Sequence, residues 1–260
     1  MRKLIIVTIS LSALLCLCLG ITVLTMNEIA SEGKMWFQSE GETDAYDFPI
    51  TPKKTPEKWE KLISLQEMID ACQIPESELE KMSTEGLLET CLSYPLFGNM
   101  MLHDSPYRGF LLQIDRFNGL HELLERENAG SVICDLYYNS SLKEVIKADA
   151  YPTYRFRYLE YIISQPEILK QLSPEQKQEL LDYALGLAKI KAEKYSDTFS
   201  IIPTALIIGR IMAEEEQYSE SLKGHEHIKR FIESGMDFTD ETWEEMLQLL
   251  QQTGLGGFAK

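Results

Sequence analysis

The chain has 260 residues, of which 25 are basic and 41 acidic, and its formal net charge at pH 7 is −16. This excess of negative charge repels nucleic-acid phosphates and anionic lipid headgroups, so we expect no nucleic-acid partner. The 44% share of hydrophobic residues excludes a disordered chain and indicates a packed core.

An uninterrupted apolar segment over residues 4–26 follows Arg2 and Lys3. It is long enough to cross a bilayer core of roughly 30 Å as a helix, so we predict that residues 1–26 form a signal anchor in the cell membrane. The basic residues before it favour a single pass with the C-terminal bulk outside the cytoplasm. The alternative is a cleaved signal peptide and a secreted protein.

Two further segments are predicted after the anchor. Residues 27–55 lack a sustained periodicity and are rich in Glu, Ser, Gly, Thr and Pro, which is typical of a flexible stalk. From Pro56 the pattern is helical, and residues 56–260 are expected to form a single extracytoplasmic domain.

The helix starts of the first half of the domain are marked by capping and proline signals. They lie at Thr55-Pro56, Ser64, Ser83 and Ser105-Pro106. Tyr107, Phe110, Leu111, Ile114 and Phe117 are spaced as the apolar face of the last of these helices. Asn118-Gly119 is expected to end that helix, and Gly130 is expected to separate the next two.

The second half reads as five more helices. They are expected at about residues 152–164, 173–195, 203–216, 220–233 and 240–252. The third of these is apolar almost all round and is predicted to be the most buried. Within it, Arg210 has Glu214 four residues on, so we expect Arg210 to face solvent.

No strand pattern is recognisable, so the predicted fold is all-α. Short connections favour an irregular stack of antiparallel helical hairpins after the N-terminal hydrophobic helix. The stack can be built as an α-solenoid or as an orthogonal bundle, and the sequence leaves both open. Three cysteines follow the anchor: Cys72, Cys91 and Cys134. Because their number is odd, at most one pair could be bridged, and we favour three buried thiols.

His225 and His227, with Glu216 nearby, are the candidate metal ligands of the chain. In a helix, residues two apart point about 200° away from each other and do not share an ion. We therefore expect no metal and no cofactor here, only an exposed helix start.

A row of tyrosines at helical spacing, with Arg155 beside it, is a possible ligand surface. Its members are Tyr151, Tyr154, Tyr158 and Tyr161. Exposed aromatic rows bind sugars and peptides, whereas buried rows are core.

The stretches Met82–Leu96 and Asp115–Arg126 resemble a segment of uncharacterised exported bacterial proteins, over about residues 60–140. The resemblance implies a helical exported domain and carries over no catalytic residue. No convergent catalytic set is recognisable, so we expect a binding or interaction module without catalysis, with an unknown protein or glycan partner. The alternatives are a hydrolase whose acidic and histidine residues meet only in the fold, and a small-molecule or lipid carrier.

Overall fold

The structure is a computed structural model that describes residues 44–147, 150–214, 220 and 222–252. The predicted anchor, most of the predicted stalk and Glu216 lie outside the described residues. The described part is all-helical, with no strand, as the sequence predicts. Within this part no helix is both long and apolar enough to cross a membrane.

Fourteen α-helices and one 3-10 helix make up the described chain. The 3-10 helix spans Phe97–Leu102, between α4 and α5. The α-helices are α1 Pro56–Trp59, α2 Leu65–Ala71, α3 Glu76–Leu79, α4 Thr84–Leu92, α5 Pro106–Ile114, α6 Asn118–Glu125, α7 Ala129–Asn139, α8 Leu142–Lys147, α9 Ala150–Ile163, α10 Pro166–Leu169, α11 Pro174–Lys194, α12 Ile202–Glu214, α13 Glu226–Ser234 and α14 Asp240–Gln252.

The helix starts marked by Ser64, Ser83, Ser105 and Ser173 are confirmed with their side-chain caps, while Pro56 opens α1 without a cap from Thr55. Ser64 and Ser173 both close reciprocal capping boxes, with Glu67 and Gln176 respectively. Gly235 follows α13 with φ 65°, the left-handed conformation that glycine adopts at lower cost than other residues.

Two corner predictions are wrong. Asn118 opens α6 instead of closing α5, and its side chain bonds both backbone groups of Ile74, with Oδ1 accepting at 3.0 Å and Nδ2 donating at 2.7 Å. Gly130 lies inside α7, where its N–H donates to Oε1 of Gln171 at 2.8 Å. In both cases a contact with a distant segment overrides the local turn signal.

The helix α9 is the hub of the core, because it contacts α4, α5, α7, α8, α10 and α12. The helix α12 packs against α9, α11 and α13. Every residue of α12 from Pro203 to Met212 is buried, which confirms the prediction of the most buried helix.

The packed domain begins before the predicted boundary at residue 56. Ser83 holds Asp44 through two hydrogen bonds, from its backbone N–H at 2.6 Å and from its hydroxyl at 2.5 Å. Tyr46 N–H donates to Oγ1 of Thr90 at 2.8 Å, and Phe48 is only 4% exposed. The residues from 44 to 48, assigned to the flexible stalk from composition, are thus fastened to α4.

Candidate functional site

Two histidines meet one carboxylate where α13 approaches α14. Nδ1 of His225 lies 2.7 Å from Oε2 of Glu245, and Nε2 of His227 lies 3.1 Å from the same oxygen. All three side chains are partly exposed, from 26% to 34%. We call these three residues the His–Glu cluster.

The expectation that the two imidazoles point away from each other is wrong, because His225 does not belong to a helix. It is the residue before α13, and its φ of −101° and ψ of 66° lie outside the helical region. The rings therefore escape the 200° separation, and their centroids are 6.4 Å apart. Glu245 lies some twenty residues further along the chain and was missed, since only the packing of α14 on α13 brings it there.

Most of the tyrosine row lies in the core. The prediction that the row forms a ligand surface is therefore wrong for the buried members. Tyr158 and Tyr161 are 0% and 2% exposed, and Arg155 is 7% exposed. Tyr158 donates to Oε1 of Gln113 at 2.8 Å and stands edge-on to Phe110. Tyr154 is half-buried, and the side chain of Tyr151 lies outside the described residues.

Arg210 is buried, so the expectation that it faces solvent beside Glu214 is wrong. It is 8% exposed, and its guanidinium donates to the carbonyls of Ser164 at 2.6 Å and Ile232 at 3.1 Å and to the Tyr107 hydroxyl at 2.7 Å. Glu214 instead pairs with Lys177 at 2.8 Å. Arg210 thus ties the ends of α9 and α13 to α5.

A second ion pair, between Lys191 of α11 and Glu160 of α9, is sealed from solvent, with both side chains 1% exposed. The Nζ atom donates to both carboxylate oxygens, at 2.8 and 2.7 Å, and to Oγ1 of Thr204 at 2.8 Å. Tyr137 adds a hydrogen bond to Oε1 of Glu160 at 2.9 Å. These four residues, the buried polar network, join α7, α9, α11 and α12.

Burial dominates the electrostatics of this network. It lowers the pKa of Lys191 below its usual value, although the carboxylate of Glu160 acts in the opposite direction. Burial, followed by the charge of Glu160, raises the pKa of Tyr137 well above its usual value. Every polar atom named here has a partner, and the side chains are sealed from solvent. We therefore assign the network a structural role, which is to hold the four helices together.

Cys72, Cys91 and Cys134, the cysteines in the described part of the chain, are free and buried, as favoured from the sequence. Burial raises the pKa of Cys72 and of Cys134 to about 12, and that of Cys91 well above its usual value. Thiols with raised pKa values in an apolar interior are poor nucleophiles, so their place is structural.

Most of the exposed apolar side chains lie close in sequence to residues that line one depression. Among the described residues, six large hydrophobic side chains are exposed, and we call four of them the Leu65 patch: Ile63 at 88%, Leu65 at 48%, Leu102 at 52% and Leu111 at 38%. Leu65 lines a depression together with His103, Leu112 and Arg116. The other three members of the patch lie one or two positions along the sequence from a lining residue.

Arg116 also lines a larger neighbouring groove of about 340 Å³. Its walls come from the segment between α2 and α3, the end of α3, the end of α5 with the segment after it, and the start of α6. They are formed by Gln73, Leu79, Ile114, Asp115, Phe117, Asn118, His121 and Glu122. The α2–α6 side of the domain thus combines an exposed aliphatic patch with a groove that carries both charges.

No protein-family model matches the chain, and neither a curated protein nor a solved structure matches it. The resemblance to exported bacterial proteins therefore stays a prediction.

Proposed function

We propose that the protein is a non-catalytic interaction module, tethered to the outer face of the cell membrane by residues 4–26, that binds a protein partner through the Leu65 patch. The observation that carries the proposal is that four of the six large exposed hydrophobic side chains among the described residues lie, in sequence, within two residues of the lining of one depression. Single exposed hydrophobic residues are ordinary on a protein surface, whereas several of them close to one depression are typical of an interaction site.

The chemistry of the patch favours a protein over a glycan. Its members are aliphatic, while sugars stack on exposed aromatic rings. Two of the tyrosines that could have formed such a surface, Tyr158 and Tyr161, are buried. Arg116, between the patch and the larger groove, offers a charge with which a partner can fix its register.

The proposed architecture is the antiparallel helical stack expected from the sequence, placed after an N-terminal hydrophobic helix. The contacts of α9 with six other helices support the bundle form, because a solenoid unit touches only its neighbours. Fastening of the chain from Asp44 onward to α4 gives the tether a fixed point of attachment.

The proposal is tested by site-specific photo-crosslinking of the full chain in its native membrane. A photoreactive residue at position 63 is expected to give a discrete protein adduct, which a second substitution, Leu65→Ser, reduces at least fivefold. The matched control is position 190, where Ile190 is 40% exposed outside the Leu65 patch. An adduct of twice the chain mass would identify a second copy as the partner, whereas equal adducts from both positions, or none, would contradict the proposal.

A small-molecule carrier is the second candidate, because the groove of about 340 Å³ is within the size range of ligand sites. Native mass spectrometry of the full chain distinguishes the two functions. A retained small molecule that is lost on Phe117→Ala or Leu79→Ser favours the carrier, and a bare mass together with the crosslink favours the interaction module.

A further inference from the structure

We propose that the depression lined by Leu65 receives an acidic side chain, Asp or Glu, from an aliphatic segment of the partner protein, and that Arg116 recognises its carboxylate. This inference rests on the proposed function, because it names the chemistry of the partner that the Leu65 patch binds. The depression differs in charge from the rest of the chain. Although the net charge is −16, none of the residues that line the depression is acidic, and two of them, His103 and Arg116, can carry positive charge.

Arg116 is exposed, and its guanidinium has no ion-pair or hydrogen-bond partner among the described residues. The acidic residues next to the lining in sequence have other contacts. Asp70 accepts a hydrogen bond from a side chain of its own helix, α2, and Asp104 pairs with Arg108 at 3.2 Å. Asp115 lines the larger groove and not the depression. The charge of Arg116 is therefore available to a carboxylate that a partner brings.

Three further side chains of the lining can donate hydrogen bonds and have no hydrogen-bond partner among the described residues: the hydroxyl of Tyr94, the amide of Asn99 and the imidazole of His103. The Tyr94 side chain is only 1% exposed, and its ring stacks on Phe117 at 4.0 Å. Its hydroxyl is not sealed from solvent, so it opens to the depression. Burial raises the pKa of Tyr94 above its usual value, so the hydroxyl keeps its proton and remains a donor. Donors gathered without an acceptor indicate that the acceptor comes from the partner.

The size of the depression selects the end of a side chain over a whole small molecule. Its volume of about 30 Å³ holds about two water-sized groups, whereas small-molecule sites run to about 300 Å³ or more. Leu65, Ile69 and Leu112 add apolar surface beside the donors. Aliphatic atoms of the partner segment can therefore pack on the lining and on the Leu65 patch while its carboxylate forms a charge-assisted pair with Arg116.

The test is carbodiimide coupling of the full chain in its native membrane. A carbodiimide joins an amine to a carboxylate as an amide, takes up the water that is lost to become a urea, and leaves guanidinium groups unreacted. Arg116→Lys places an amine at the proposed contact, so it should gain an amide adduct, absent from the unaltered chain, with the protein that position 63 labels by photo-crosslinking. Peptide mapping should locate the amide at an Asp or Glu side chain of that protein. Arg116→Glu should lower the photo-adduct by about fivefold, because like charges then meet.

The matched control is Arg230→Lys, the same substitution at an exposed residue of α13, and it should gain no such adduct. An adduct from Arg230→Lys equal to that from Arg116→Lys, or a photo-adduct that persists in Arg116→Glu, would overturn the acidic contact and leave the proposed function standing. An amide at the terminal carboxylate of the partner would overturn the assignment to an acidic side chain. Absence of the photo-adduct from the unaltered chain would contradict the proposed function itself, and this inference with it.

Discussion

At the scale of single residues, the clearest constraint lies at Gly86, in the first turn of α4. A Cβ added there would overlap Oδ1 of Asp44, the carboxylate that Ser83 holds. Burial acts to raise the pKa of Asp44, but the hydrogen bonds from Ser83 and from the Asp44 backbone, together with the charge of Arg126, lower this pKa below its usual value. Gly86 therefore keeps room for the segment that enters the domain.

We predict that Gly86→Ala releases residues 44–48 and destabilises the domain by about 1–3 kcal/mol, the usual cost of overpacking. Hydrogen exchange measures this release, because the Tyr46 N–H, which donates to Oγ1 of Thr90, would lose its protection. The double variant Gly86→Ala with Asp44→Ala removes the overlapping carboxylate and should lose less than the sum of the two single changes.

Gly186 is the matched control for this substitution. It also lies within a helix, α11, but a Cβ added there meets nothing within 4 Å. Gly186→Ala should therefore stabilise the domain by about 0.5–1 kcal/mol. Equal effects at the two glycines would show that the Asp44 contact is not what Gly86 accommodates.

At the scale of helices, capping signals and apolar periodicity predict most elements, while contacts between distant segments remain out of their reach. Ser64 and Ser173 are recognisable because a capping box is complete within four residues. Arg210 is misplaced because its partners, Tyr107 and Ser164, come from other helices. Glu245 escapes notice for the same reason, since a single glutamate on α14 carries no local sign that two imidazoles will meet it.

The buried polar network joins four helices, and the effects of its two charges on stability should be interdependent. We predict that Lys191→Met destabilises the domain by about 3–5 kcal/mol, because it leaves the carboxylate of Glu160 buried and uncompensated. The double variant Lys191→Met with Glu160→Met should lose less than the single variant, since no buried charge is left alone. Urea unfolding of both variants measures the difference, and a double variant less stable than Lys191→Met would refute the interdependence.

At the scale of the whole molecule, one apolar core runs through the described helices and holds ionisable groups that lose their protons only with difficulty. Cys72, Cys91 and Cys134 share this core with Tyr94 and Tyr137. Burial raises the pKa of each of these five groups. The unfolded chain therefore releases these protons at lower pH than the folded chain does.

This difference predicts that the domain loses stability in alkaline solution. Between the ordinary thiol pKa of 9.0 and the raised value of about 12, Cys72 and Cys134 keep protons that the unfolded chain has lost. The free energy of unfolding should then fall with rising pH, by up to about 1.4 kcal/mol per pH unit for each thiol. Urea midpoints from pH 7 to pH 11 measure the slope, and Cys72→Ala with Cys134→Ala should flatten it. A slope unchanged by that pair would mean that the thiols do not cause the loss and that the buried tyrosines, which act in the same direction above their usual pKa of 10.0, account for it.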